Sequence, residues 1–147
     1  MFADKSDKEI KWMRVKDVKS DQHEIINNQN KSVSIIHNVV SGPSKRFVLI
    51  KKDMIAPDIP FEDTYFTTGH ILIINNEKVR ARDTIKMKIG IRKNLRNQNV
   101  YCIVCQNEEI INVNGIPSTT YQLDRWISYS NKMCINWKNN RSVIDNK

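Results

Sequence analysis

Eight cations lie between Lys78 and Arg96: Lys78, Arg80, Arg82, Lys86, Lys88, Arg92, Lys93 and Arg96. A single acid, Asp83, opposes them. Ammonium and guanidinium groups at this density neutralise phosphates, and each neutralised phosphate releases counterions and adds affinity. Elsewhere the charges nearly cancel. Residues 1–32 carry +1, residues 33–77 carry −1 and residues 100–147 carry +1, so residues 78–99 hold +7 of the net +8. On a β-strand, Arg80, Arg82, Lys86, Lys88 and Arg92 would share one face at roughly 6.6–7 Å per step, close to a nucleic-acid phosphate repeat. Lys93 and Arg96 would extend that stripe over a loop tip. The competing role for such a face is to keep a sheet edge from pairing with another chain. Nucleic acid is favoured over an anionic membrane, because the apolar side of the same segment is needed for a core rather than for lipid.

Binding of single strands adds aromatic platforms to a basic groove. Tyr101 is the candidate nearest in sequence, and Trp12, Phe47, Tyr65 and Phe66 are further ones. Cys102 and Cys105 have zinc-knuckle spacing, but Ile103 and Val104 lie between them, and only Cys134, His23, His37 and His70 remain to complete a site. They are read as buried core thiols, and no metal or cofactor is expected. There is no P-loop, dinucleotide fingerprint, nucleophile elbow or HExxH motif. The chain is therefore expected not to be an enzyme and to take no small-molecule substrate. The alternative within catalysis is a metal-dependent nuclease using Asp58, Glu62 and Asp63, which cluster in the proline-bounded stretch APDIPFEDT.

The elements that must position these groups read as β. The 147 residues include only three Ala and four Leu, while Ile and Val are frequent, and β-branched side chains favour the pleated sheet over the helix. Val79, Ala81, Ile85, Met87, Ile89 and Ile91 alternate with Arg80, Arg82, Thr84, Lys86, Lys88 and Arg92. That alternation predicts one long bent strand, with Asp83 marking a bulge. GHILIIN (69–75) precedes it through a turn at Asn76-Glu77, and KNLRNQ (93–98) reads as a polar hairpin loop after it. VYCIVCQ (100–106) reads as a strand buried on both faces. EIINVN follows a turn at Asn107-Glu108 and ends at Gly115-Ile116-Pro117. SVSIIHNVV and RFVLIKK are strands separated by a turn at Ser41-Gly42-Pro43-Ser44. Ser118 is expected to cap a helix whose apolar face is Leu123, Trp126 and Ile127, before a last strand with Met133, Ile135 and Trp137. Ser6 and Glu9 have capping-box spacing for a first helix carrying Ile10, Met13 and Val18.

These elements predict a mainly β, single-domain protein (1–147): a small β-barrel of the oligonucleotide/oligosaccharide-binding (OB-fold) kind, or alternatively a β-sandwich, with one or two short helices near the termini and flexible ends at 1–8 and 139–147. The N-terminus MFADKSDKEIKW has no apolar core of a secretory signal. An intracellular, nuclear protein without membrane association is expected. In size, charge and inferred architecture the chain resembles the small OB-fold subunits of single-stranded DNA-binding complexes, of the replication-protein-A or telomere-capping type. The resemblance implies single-stranded DNA or RNA as ligand and protein partners in a hetero-oligomer, with Leu123, Trp126 and Ile127 as the docking face. The remaining alternative is a viral or chromatin assembly module whose cationic face docks an acidic protein.

Overall fold

A computed structural model describes residues 1–6 and 8–132, with side chains throughout except at 41–43 and 128–132. The expected strand at Met133, Ile135 and Trp137, together with Cys134 and the C-terminal end, lies outside the described residues. The protein is mainly β. Among the described residues three four-stranded sheets form, and none of them closes into a barrel. Two compact units are built from interleaved segments: Met1–Ser41, Tyr101–Glu109 and Thr120–Lys147 make the first, Gly42–Val100 and Ile110–Thr119 the second.

The first unit holds the sheet β2-β1-β3-β4, made of β1 (Phe2–Asp4), β2 (Ile10–Lys11), β3 (His23–Ile26) and β4 (Ser32–Ser34). The N-terminal residues, expected at a frayed end, carry β1, with Phe2 opposite both Lys11 and Ile25. Phe2, Ala3 and Ile25 are buried. The expected first helix does not form. Ser6 donates to the Asp4 carboxylate from both its backbone N (2.9 Å) and its hydroxyl (2.6 Å). This local side-chain turn competes with helix initiation, and the chain doubles back into β2 instead. A 3-10 turn at Val15–Asp17 follows. The buried Asn38 amide donates to the carbonyls of Val15 and Val18, each at 2.9 Å, and so fixes it. Asn27 organises the β3–β4 turn by accepting from the backbone N of Gln29 and Lys31.

Two long strands, β5 (His37–Ile50) and β9 (Gly90–Cys105), each have one end in the first unit and the other in the second. With β6 (Thr64–Thr67) and β12 (Tyr121–Gln122) they form the sheet β12-β9-β5-β6. β5 runs unbroken through Ser41–Ser44, where a turn is expected from Gly42-Pro43. β9 likewise absorbs the expected hairpin loop at 93–98. Just before β5, Ile36 N donates to Val104 O of β9 at 2.8 Å. The helix α2 (Leu123–Lys132) follows β12.

The second unit adds the sheet β10-β11-β7-β8, from β7 (Ile71–Ile74), β8 (Glu77–Arg80), β10 (Ile110–Val113) and β11 (Ile116–Thr119). Both hairpins close through two-residue turns with positive φ: Asn75-Asn76 (51° and 63°) and Asn114-Gly115 (51° and 93°). Such turns match the right-handed twist of the strands, and Asn and Gly tolerate that conformation. The core gathers Val48, Ile50, Phe66, Leu72, Ile74, Ala81 and Ile116. Ser118 is buried within β11 rather than capping a helix, and the helix starts five residues later at Leu123.

His70 sits beside this core with its ring stacked on Phe66 at 5.4 Å. Burial lowers its pKa from 6.5 to about 4. In the unfolded chain the imidazole takes up its proton near pH 6.5, whereas the folded chain resists until about pH 4. The stability contributed by the neutral ring is therefore full above pH 6.5 and declines as pH falls toward 4, by about 3 kcal/mol at most. Urea unfolding at pH 7, 6 and 5 should show this decline, and His70→Gln should flatten it.

Candidate nucleic-acid interface

The single cationic strand expected over Val79–Arg92 is replaced by three pieces. Arg80 ends β8. Arg82 precedes a four-residue helix, α1 (Asp83–Lys86), which closes with Lys86. Lys88 follows in a left-handed turn (φ 61°), and Arg92, Lys93 and Arg96 lie on β9. The cause is local. The Asp83 carboxylate accepts from Arg80 N at 3.2 Å, and the Thr84 hydroxyl donates to Ala81 O at 2.6 Å. These bonds wind the chain into a turn where a strand would have continued. Ala81, Ile85 and Ile89 remain on the core side, now through helix-like spacing of four. Met87 and Ile91, expected inside, are exposed.

The cations consequently divide into two sets. Arg80 folds back, donating from Nη1 to Gly69 O at 3.0 Å, while Arg82, Lys86 and Lys88 are exposed around α1. Arg92, Lys93 and Arg96 are exposed along β9, and Lys45 and Arg46 are exposed on the neighbouring strand β5. Sequence periodicity missed Lys45 and Arg46 because their segment was divided by the expected Gly42-Pro43 turn. Among the described residues none of these five β5 and β9 cations makes an ion pair. Two ion pairs, Lys8–Glu24 (2.9 Å) and Arg125–Glu108 (3.7 Å), lie in the first unit. The second unit as a whole carries twelve Lys and Arg against six Asp and Glu.

The aromatic candidates scatter. Phe47 and Phe66 are buried and so unavailable for stacking, whereas Trp12 (49% exposed) and Tyr65 (47%) reach solvent. Tyr101 is half-buried and belongs to the first unit, unlike the seven cations proposed with it. On α2, Leu123 and Trp126 are half-buried and Ile127 is 47% exposed, and the ring of Trp126 meets Tyr121 edge-on at 5.5 Å.

Cys102 and Cys105 are buried free thiols, each pushed up to about 11, chiefly by burial. At neutral pH they are protonated, as buried thiols in an apolar core are. Among the proposed loop acids, Asp63 accepts from Lys52 N, while Asp58 donates its backbone N to Asp53, so these bonds brace the loop backbone. Among the described residues no group of three His, Cys, Asp or Glu side chains could hold a metal, and no helix is long and apolar enough to cross a membrane. Compared with protein families, with curated proteins and with solved structures, the chain matches none.

Proposed function

We propose that the chain binds nucleic acid, without catalysing a reaction, by neutralising backbone phosphates with the cations of its second unit. The observation that carries this is the set Lys45, Arg46, Arg92, Lys93 and Arg96: all exposed, on two neighbouring strands, with no ion pair among the described residues. Charges of one sign repel each other when gathered on one surface, and a polyanion relieves that repulsion while its counterions are released. The proposal requires no barrel and no stacking groove, and it is therefore made for nucleic acid as a class. The cations around α1 would add a second, weaker row of phosphate contacts.

The test is fluorescence anisotropy of the purified chain with labelled strands of about 20 nucleotides, single and duplex, from about 50 to 200 mM salt. Engagement of five phosphates by the five cations should give a slope of log affinity against log salt near about −4. No binding at the lowest salt would sink the proposal. It would leave the same cationic strands as a docking surface for an acidic protein.

A further inference from the structure

From Ile91 to Asn99 every residue of β9 is exposed except Leu95, which is half-buried. Exposure on both faces means that this stretch covers no core. Its edge away from β5 is as open as its faces. β12 pairs only with Val104 and Cys105 at the far end of β9, and β6 pairs only with Phe47–Ile50 of β5. Among the described residues, the stretch of β9 before Val100 and the part of β5 holding Lys45 and Arg46 thus make a two-stranded ribbon.

Successive side chains on a strand point to opposite faces. Arg92, Asn94, Arg96 and Gln98 therefore share one face, a row of guanidinium, amide, guanidinium and amide. The row spans about 20 Å, the length of about six base steps of 3.4 Å. Among the described residues none of the four side chains is held by a hydrogen bond or ion pair within the protein. Each ends in a planar group that makes paired hydrogen bonds. Guanidinium matches the O6 and N7 edge of guanine, and a carboxamide matches the N6 and N7 edge of adenine. A phosphate needs neither amide, so simple charge neutralisation leaves Asn94 and Gln98 without a task.

We propose that this ribbon enters the major groove of duplex DNA and that Arg92, Asn94, Arg96 and Gln98 contact base edges there. The proposal rests on the nucleic-acid reading above and narrows it. The major groove of B-form DNA, about 12 Å wide, admits a two-stranded ribbon. The deep, narrow major groove of duplex RNA does not. A single strand would call for aromatic platforms, and the exposed row contains none. Lys93 on the opposite face, with Lys45 and Arg46 on β5, is left to hold phosphates and fix orientation.

The experiment is selection from a pool of DNA duplexes with a randomised centre of about 12 base pairs, followed by anisotropy with the enriched duplex and a scrambled one. The enriched duplex should contain G and A at fixed spacing and bind at least about tenfold more tightly than the scrambled one. Asn94→Ala with Gln98→Ala should cut that preference to below about threefold, while affinity for the scrambled duplex and the salt slope stay within about twofold, because neither substitution removes charge. Duplex binding without any enriched sequence overturns the proposal. So does a single strand, or the matching RNA duplex, bound as tightly as the DNA duplex, and in both cases the broader nucleic-acid reading survives. Failure to bind any nucleic acid overturns both.

Discussion

Replacing Arg92, Lys93 and Arg96 together by glutamine should lower affinity for a scrambled duplex, on which all three engage phosphates, by about 100- to 1,000-fold at about 50 mM salt and reduce the magnitude of the salt slope by about 3. The three side chains are exposed, and among the described residues none is in an ion pair, so the fold should survive. Circular dichroism and an unchanged urea midpoint would establish that. The informative comparison is Lys86→Gln with Lys88→Gln. Were the cations one continuous strand, this pair would matter as much as the β9 set. Because Lys86 closes α1 and Lys88 occupies a left-handed turn, the pair should cost only about 10-fold or less. Equal losses from both variants would mean that the ligand follows the α1 row and that the ribbon is not the principal contact.

The second large effect is expected at Gly90, the first residue of β9. Its backbone passes so close to α1 that a Cβ there would fall onto the Thr84 hydroxyl and lie 2.6 Å from Val48 Cγ1. Neither neighbour yields easily. Thr84 is fully buried with its hydroxyl committed to Ala81 O, and Val48 is in the core. Gly90→Ala should therefore destabilise the protein by about 3 kcal/mol, read as a lower urea midpoint. Adding Val48→Ala should recover part of that loss, so that the double variant is more stable than the sum of the two single effects implies. A loss below about 0.5 kcal/mol would show that α1 shifts freely away from the strand, in conflict with its packing.

The mainly β character was legible because Ile and Val outnumber Ala and Leu, and because GHILIIN and VYCIVCQ are short apolar runs with turn residues around them. The α1 turn was not. In the row Val79, Ala81, Ile85, Met87, Ile89 and Ile91, the buried or half-buried members are Val79, which still lies on β8, and Ala81, Ile85 and Ile89, which are spaced by four. Any spacing of four also satisfies a spacing of two, so alternation alone does not separate strand from helical turn. What decides is where the Asp83 and Thr84 oxygens find their partners, and those bonds exist only once the chain has bent. Lys93–Gln98 posed the opposite problem. A wholly polar stretch reads as a loop when hydrophobicity is the only signal, since a strand exposed on both faces shows no apolar alternation. The charge concentration itself was read directly from the chain. Its division between α1 and β9, and the arrival of Lys45 and Arg46 beside the latter, required the pairing of β5 with β9.

That pairing joins strands far apart in the chain, and it sets a timetable for synthesis. His37 begins β5 and Gly90 begins β9, so a ribosome adding 5–20 residues per second leaves the β9 edge of β5 open for about 3 to 10 seconds. The first unit also lacks its Tyr101–Glu109 and Thr120–Lys147 segments during that interval. A nascent chain halted before Gly90 thus presents the apolar run Phe47–Ile50 and an unpaired strand edge, the combination that chaperones hold and that drives aggregation when they do not.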